Sequence, residues 1–305
     1  MNITMVGAGA VGVYFGGRLL ENGCNVTFLV REHRKALIEK EGLVIYSDAG
    51  QYTLKEYQVA TTSQEISDCD LVIVAVKGYH LQQLMPVLQE FAQRGVKILP
   101  LLNGMEHIYG LKENCGEEAV LGGVAYIIAT LDEKGHVHHS GSQHSLVVGP
   151  LHPSQQQLCQ QLAKATEGSK FIFKYSEAIE QALWHKYIFI TAFSSITTAC
   201  DAPIGVLRHN EATASLISNV LLEMKQLALA LHAPIDDDIV EKTLKTIEAL
   251  HDEATSSMHQ DRRKGLPLEV DHLQGGALRL AKSCNLPLPH LATLYAVLSM
   301  IAVVK

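Results

Sequence analysis

The chain has 305 residues, with 25 Lys and Arg against 32 Asp and Glu, a formal net charge of −7, and 47% hydrophobic content. That length accommodates two domains, each able to bury a core, while the acidic balance argues against nucleic-acid and anionic-membrane partners, which want a basic surface. No run of 18 apolar residues occurs, so no transmembrane helix is expected, and six scattered cysteines without a Cys-x-x-Cys pair fit a reduced, cytoplasmic protein.

A strand pattern begins at Asn2 and leaves no room for a signal peptide. Through about Tyr175, strand-like runs ("ITMV", "NVTFLV", "LVIVAV", "VKILPLL", "VLGGVAYII", "HSLVVG", "FIFKY") alternate with helical patterns such as "VYFGGRLLENG" and "HLQQLMPVLQEFAQRG". Several of these runs are short, nearly continuous and β-branched, as in strands buried on both faces of a parallel sheet. The alternation predicts an α/β doubly wound domain. Pro100 places its strand near an edge, or makes it short or irregular.

After Ser176 the strand pattern stops. "SEAIEQALWHKYIFITAFSSITTAC" reads as a helix with Ser176 as N-cap, apolar nearly all round after Tyr187, and "DAPIG" breaks it. Further helices are expected in "EATASLISNVLLEMKQLALALH", "DDDIVEKTLKTIEALHDEA", "LEVDHLQGGALRLAKSC" and "PHLATLYAVLSMIAVV". The predicted organisation is a Rossmann-type α/β domain over 1–175 and an all-α domain over 176–305.

Gly7, Gly9 and Gly12 form Gly-x-Gly-x-x-Gly between a strand and a helix. Gly7 permits a tight turn, Gly9 lets backbone approach a pyrophosphate, and Gly12 allows close helix–strand packing. The loop Gly7, Ala8, Gly9, Ala10, Val11, Gly12 is therefore the expected dinucleotide cradle, with the helix N-terminus facing the phosphates. An acid usually ends the second strand of such a fold, where it bonds the ribose and repels a 2′-phosphate. This chain has Arg31, with Arg34 and Lys35 behind it. Guanidinium pairs well with phosphate, so the expected cofactor is NADP(H); the plainer reading of Arg31 is a solvated surface charge.

Lys77 and Asn103 each follow a predicted parallel strand, on the edge where open α/β sheets bind ligands. Either residue reaches such a crevice or caps a turn, and Asn103-Gly104 suits a turn. Lys186 lies within a helical turn of Ala182, Leu183, Phe189 and Ile190. A lysine there ordinarily snorkels to solvent; the functional reading is a desolvated ammonium ready to release its proton. Ser256, Ser257 and Glu269 fall in the polar stretch "TSSMHQDRRKGLPLEVDHLQG", which composition assigns to a surface loop and helix start. His136, His138, His139 and His144 are read as an exposed hairpin rather than a metal site, since no Cys or acidic partner is fixed nearby. No metal is expected.

In the order and spacing of its motifs the whole chain resembles the ketopantoate reductase (2-dehydropantoate 2-reductase) family: "GAGAVGVYFGG", "AVKGYH", "NGM", "WHKY", "TSSMHQD" and "LEVDHLQGG". The resemblance implies a Rossmann domain, a helical domain and an active site between them. It implies that Lys186 is the catalytic lysine and general acid, and that Glu269 contacts the substrate beside it. By the same resemblance Ser257 binds the substrate carboxylate, Lys77 and Asn103 line the nicotinamide end, where Asn103 also meets the substrate, and Arg31 meets the 2′-phosphate. The implied activity is NADPH-dependent reduction of a small anionic 2-keto acid, ketopantoate, to pantoate in pantothenate and coenzyme A synthesis. The chain departs from the family where substrate-side asparagines are common: Ile190, Ser194 and Ala254 stand there, with Ser194 left as a substrate-side hydroxyl. These departures keep open a same-family reductase of another branched or aromatic 2-keto acid. A non-catalytic NADPH-binding sensor is the rival from another class. Monomer and homodimer both remain open.

Overall fold

Short strands that are apolar on both faces need a helical layer on each side, and the first half of the chain supplies them. The computed structural model describes residues 1–48 and 50–303. Its elements run β1 (Asn2–Val6), α1 (Ala10–Glu21), β2 (Asn25–Leu29), α2 (Glu32–Glu41), β3 (Val44–Ser47), β4 (Gly50–Thr53), β5 (Gln58–Ala60), β6 (Leu71–Val74) and α3 (Leu81–Gln93). There follow β7 (Lys97–Pro100), α4 (Glu106–Cys115), β8 (Gly122–Leu131), β9 (Val137–Gly149), α5 (Gln156–Ala165) and β10 (Ile172–Tyr175). Two units result: Met1–Leu102 with Ile108–Ile179, and Asn103–His107 with Glu180–Lys305.

In the first unit, β5-β2-β1-β6-β7 form a wholly parallel sheet. Side chains alternate across it as the two-residue period demands. Ile3, Met5, Leu71, Ile73 and Leu99 enter one core with Val13, Phe15 and Leu19 of α1. Val6, Val72, Val74 and Ile98 enter the other with Leu88 and Phe91 of α3. β7 has four residues, ends at Pro100 and lies at the end of the sheet order, where a missing N–H costs least.

A second sheet pairs β9 antiparallel to β8 on one side, and parallel to β3 and β10 on the other. Helix α1 packs against β2 and also against β8 and β9, so its buried run from Gly12 to Leu19 serves both sheets. The expected strand pattern lacks β3, β4 and β5. These are three or four residues long and mostly half-exposed, too brief to show a period.

The histidine-rich segment departs from its expected exposed hairpin. His136 and His139 are buried, His139 stacks on His144 at 5.2 Å, and His144 Nδ1 lies 2.7 Å from the Tyr14 hydroxyl. An acidic partner also exists, because Asp132 accepts from His138 Nε2 at 2.9 Å. Among the described residues, no group of three or more His, Cys, Asp or Glu is arranged to hold a metal ion.

The second unit is helical: α6 (Ile179–Cys200), α7 (Ile204–Arg208), α8 (Glu211–Ala230), α9 (Ile239–Glu248), α10 (Ser257–Arg263), a π-helical turn (Asp271–Gly275), α11 (Gly276–Ser283) and α12 (Pro289–Val303). Ser176 does not cap α6, which begins three residues later; its N–H bonds Val148 instead and prolongs the sheet. The polar stretch expected as a loop contains α10, with Met258 and His259 buried. No helix among the described residues is long and apolar enough to cross a membrane.

Glu223 of α8 joins two of these helices. Its buried carboxylate accepts from the backbone N–H of His290 at 2.8 Å and of Leu291 at 2.9 Å, capping α12 from a distance. Both N–H groups would otherwise lack partners in the first helical turn. Glu223→Ala is expected to cost about 1–3 kcal/mol, read as a lower denaturant midpoint with unchanged m-value.

Candidate functional site

The glycine loop of the first unit is built by close contact. Gly7 adopts φ +98°, and a Cβ there would lie 2.7 Å from Val76 Cγ1. A Cβ on Gly12 would lie 2.1 Å from the Gly7 carbonyl oxygen, so α1 can start this near β1 only with glycine at that position. Gly9 differs: a Cβ there would meet nothing nearer than the Ala75 carbonyl at 3.8 Å. The protein itself does not fill the space above Gly9. The first turn of α1 carries no acidic side chain, and its leading N–H groups face that space. This arrangement fits a pyrophosphate.

Arg31 caps α2 from an exposed position. Its Nη2 lies 3.0 Å from His80 Nδ1 and donates to Gln83 Oε1 at 3.1 Å. Arg34, expected beside it as a second phosphate-facing cation, has another task. It donates to the Ala8 carbonyl at 3.1 Å and to the Gly135 carbonyl at 2.8 Å, bracing the glycine loop. Lys77 stands just beyond β6, capping the short turn Gly78–His80.

The other expected residues meet in the helical unit. A pocket there is lined by Asn103, Ile190, Ser194, Ser257, Met258, Glu269, His272 and Leu273. Lys186, Ile190 and Ser194 follow at four-residue intervals and so share one face of α6. Lys186 is half-buried and does not itself line the pocket. Burial pushes its ammonium down to a pKa of about 8, and the Glu269 carboxylate opposes that shift. Ser257 is the exposed first residue of α10. Ser256 serves structure instead: buried, it caps α10 by accepting from His259 N at 3.1 Å and lies 3.0 Å from the Thr197 hydroxyl.

The pocket walls are held by groups that the motifs did not single out. The Tyr187 hydroxyl donates to the Leu273 carbonyl at 2.9 Å, and Gln274 Nε2 donates to Ser195 Oγ at 2.9 Å. Arg279 grips Glu106 through two bonds of 2.7 and 2.8 Å and Asp271 through two of 2.9 Å, to its carboxylate and its backbone carbonyl, so the Asn103–His107 segment is clasped to the π-helical turn. His272 Nε2 donates to the Asn103 carbonyl at 2.9 Å. His107 is buried with neither ring nitrogen hydrogen-bonded among the described residues. Burial, followed by the charges of His272 and Lys186, holds its ring well below the usual imidazole range. "NGMEH" and "EVDH" display both histidines beside motif residues, but their meeting 5.4 Å apart depends on the tertiary fold.

A Rossmann-type unit with a phosphate-ready glycine loop, together with a helical unit holding a desolvated lysine beside a carboxylate, defines a class of oxidoreductases. Residues 3–153 match the family Ketopantoate reductase PanE/ApbA, and residues 178–302 match the C-terminal domain of that family. The chain belongs to the ketopantoate reductase PanE/ApbA family. It is similar to the uncharacterized oxidoreductase YkpB of Bacillus subtilis (strain 168), with 35% identity over 300 residues and 98% of each chain covered. A crystal structure of 2-dehydropantoate 2-reductase from Geobacter metallireducens GS-15 superposes with a TM-score of 0.88 at 27% identity, covering 98% of this chain and 99% of that one. D-mandelate dehydrogenase, in a ternary structure with NADH and anilino(oxo)acetate, shares the fold with a TM-score of 0.86 at 20% identity, covering 99% and 98%.

The glycines make a paired test. Gly12→Ala forces an overlap worth about 3 kcal/mol and lowers the melting midpoint by about 6–12 °C. Gly9→Ala leaves the midpoint within about 2 °C of wild type and weakens dinucleotide binding at least about tenfold. Calorimetry and a binding titration on the two variants separate these outcomes.

Proposed function

We propose that this chain is an NADPH-dependent 2-keto acid reductase whose substrate is ketopantoate, reduced to pantoate on the route to pantothenate and coenzyme A. The single observation that carries the reading is the Lys186 ammonium, desolvated on α6 with Glu269 beside it. In this reading residues 1–175 bind NADP(H), and 176–305 hold the substrate and the acid–base pair. The protein acts in the cytoplasm, as a monomer or homodimer.

When bound, the dinucleotide supplies hydride to the keto carbon. This chain's residues do the rest. The glycine loop from Gly7 to Gly12 holds the pyrophosphate with backbone N–H groups, Lys77 and Asn103 line the nicotinamide end, and Arg31 pairs with a 2′-phosphate. Ser257 donates to the substrate carboxylate, and Ser194 offers a hydroxyl to its side chain. Negative charge grows on the keto oxygen as the carbon is reduced. The Lys186 ammonium stabilises that charge and then transfers its proton to the same oxygen. A pKa of about 8 leaves Lys186 mostly charged at neutral pH and still able to give its proton up. Glu269 keeps it protonated between turnovers and orients the substrate beside it.

Ile190 in the pocket wall favours a second reading, a more apolar branched or aromatic 2-keto acid, because a branched alkyl group replaces a common amide. A sensor that merely binds NADPH has no use for Lys186 or Glu269, and their presence together counts against it.

NADPH consumption measured with ketopantoate, other 2-keto acids and NADH tests the proposal. Turnover with ketopantoate is the expected result; binding of NADPH without turnover of any keto acid would establish the sensor instead. Because the acid must be protonated, kcat/KM is expected to fall tenfold per pH unit above about 8 and to stay level below it. Lys186→Ala removes that limb and lowers kcat at least about a thousandfold with NADPH binding retained. Arg31→Ala lowers the preference for NADPH over NADH about 10–100-fold; an unchanged preference would assign the 2′-phosphate to another group.

A further inference from the structure

The pocket contains one polar group that these roles leave idle. His272 lies on the π-helical turn and lines the pocket with Asn103, Ile190, Ser194 and Ser257. Its Nε2 is 2.9 Å from the Asn103 carbonyl oxygen. A carbonyl oxygen only accepts, so Nε2 carries a ring proton, and in the neutral form of the ring Nδ1 is a lone-pair acceptor. No group among the described residues donates to that Nδ1.

An acceptor in this wall does not suit the reacting end of a 2-keto acid. The keto oxygen and the carboxylate are themselves acceptors, and a lone pair turned toward them repels. The residues assigned to that end, Lys186 and Ser257, are donors. His272 therefore needs a substrate group that brings a hydrogen, and a 2-keto acid can bring one only on its side chain. Ser194 supplies the complement. It is buried and lines the pocket, and Gln274 Nε2 approaches its Oγ at 3.5 Å, so the serine accepts there and its own proton is available to a ligand. An acceptor and a donor in one pocket match a hydroxyl, which does both. Ile190, Met258 and Leu273 leave apolar wall for the carbon skeleton that carries it.

We propose that His272 is a specificity-determining residue whose Nδ1 accepts a hydrogen bond from a hydroxyl on the side chain of the 2-keto acid. The inference rests on the reductase reading above and narrows it: the substrate is a hydroxylated 2-keto acid rather than a plain branched or aromatic one. In this chain an imidazole and a serine do the work of the amides absent at Ile190 and Ser194.

The test compares ketopantoate with its deoxy analogue, in which a methyl replaces the hydroxymethyl group, using full-length wild type, His272→Phe and His272→Gln with NADPH. Wild type is expected to prefer the hydroxylated acid by about 10–100-fold in kcat/KM. His272→Phe brings that ratio close to one. His272→Gln, whose amide both donates to Asn103 and accepts, restores most of it. Loss of the tether to Asn103 alone would slow both acids by the same factor and leave the ratio standing, so a retained ratio in His272→Phe overturns the proposal. So does a wild type that favours the deoxy acid or ignores the difference. Failure of the reductase reading looks different, with no 2-keto acid consumed by any of the three proteins, and it removes this proposal with it.

Discussion

The helical unit depends on the placement of one cation, the half-buried Lys186, whose ammonium burial pushes down to a pKa of about 8. An isolated buried charge costs several kcal/mol, and the fold meets that cost without cancelling it. Glu269 favours the charged form, burial disfavours it, and burial prevails, leaving the pKa at about 8. A tight ion pair would raise the pKa again; burial without a carboxylate would lower it further. Helix α6 sustains this balance because its other faces are bound to the same neighbours. Tyr187 bonds the Leu273 carbonyl, and Ser195 accepts from Gln274, so the turn that follows Glu269 is tied to the helix that carries Lys186.

The second constraint is the clasp on residues 103–107. That stretch follows a strand of the parallel sheet, yet it counts with the helices. Arg279 reaches Glu106 with two parallel bonds and Asp271 with two more, while His272 secures the Asn103 carbonyl. Arg279 is about half exposed, so solvent screens the pair and little stability follows from it. Its contribution is geometric: a planar guanidinium fixes the direction as well as the distance of what it holds. Asn103 thereby stands in the same pocket wall as Ser194, Ser257 and Glu269.

The glycine loop depends on a different kind of constraint, the absence of side chains. Gly12 lets a helix begin against the carbonyl of Gly7, and the space above Gly9 is left unfilled by the protein. Arg34 then stiffens the loop through the Ala8 carbonyl, which withdraws one of three cations in "REHRK" from any phosphate and leaves Arg31 as the exposed one.

Local order was legible in the sequence wherever one segment carried its own signal. The short, nearly continuous, β-branched runs "ITMV" and "LVIVAV" announced a sheet buried on both faces. The glycine spacing marked the turn between β1 and α1, and the order of motifs singled out Lys186, Glu269 and Ser257. What the sequence did not display was the outcome of distant segments meeting. The strands β3, β4 and β5 are too short for a period to show; β9 offers an edge to β3, β3 to β4, and β2 to β5. His136 and His139 read as surface residues until the end of α2 and Tyr46 meet the first and Tyr14 of α1 covers the second. Arg34 read as a phosphate contact until Gly135, a hundred residues on, took its guanidinium. Ser256 and Ser257 are neighbours of one type, yet one caps α10 and the other lines the pocket. The sequence by itself determined the parallel sheet, the long helices and the residue types brought to the pocket, because these follow from local periodicity and spacing. Only tertiary structure decided which of those groups were desolvated, which were spent on backbone, and which were left facing a ligand, because burial and hydrogen-bond partnership belong to pairs of segments rather than to either one.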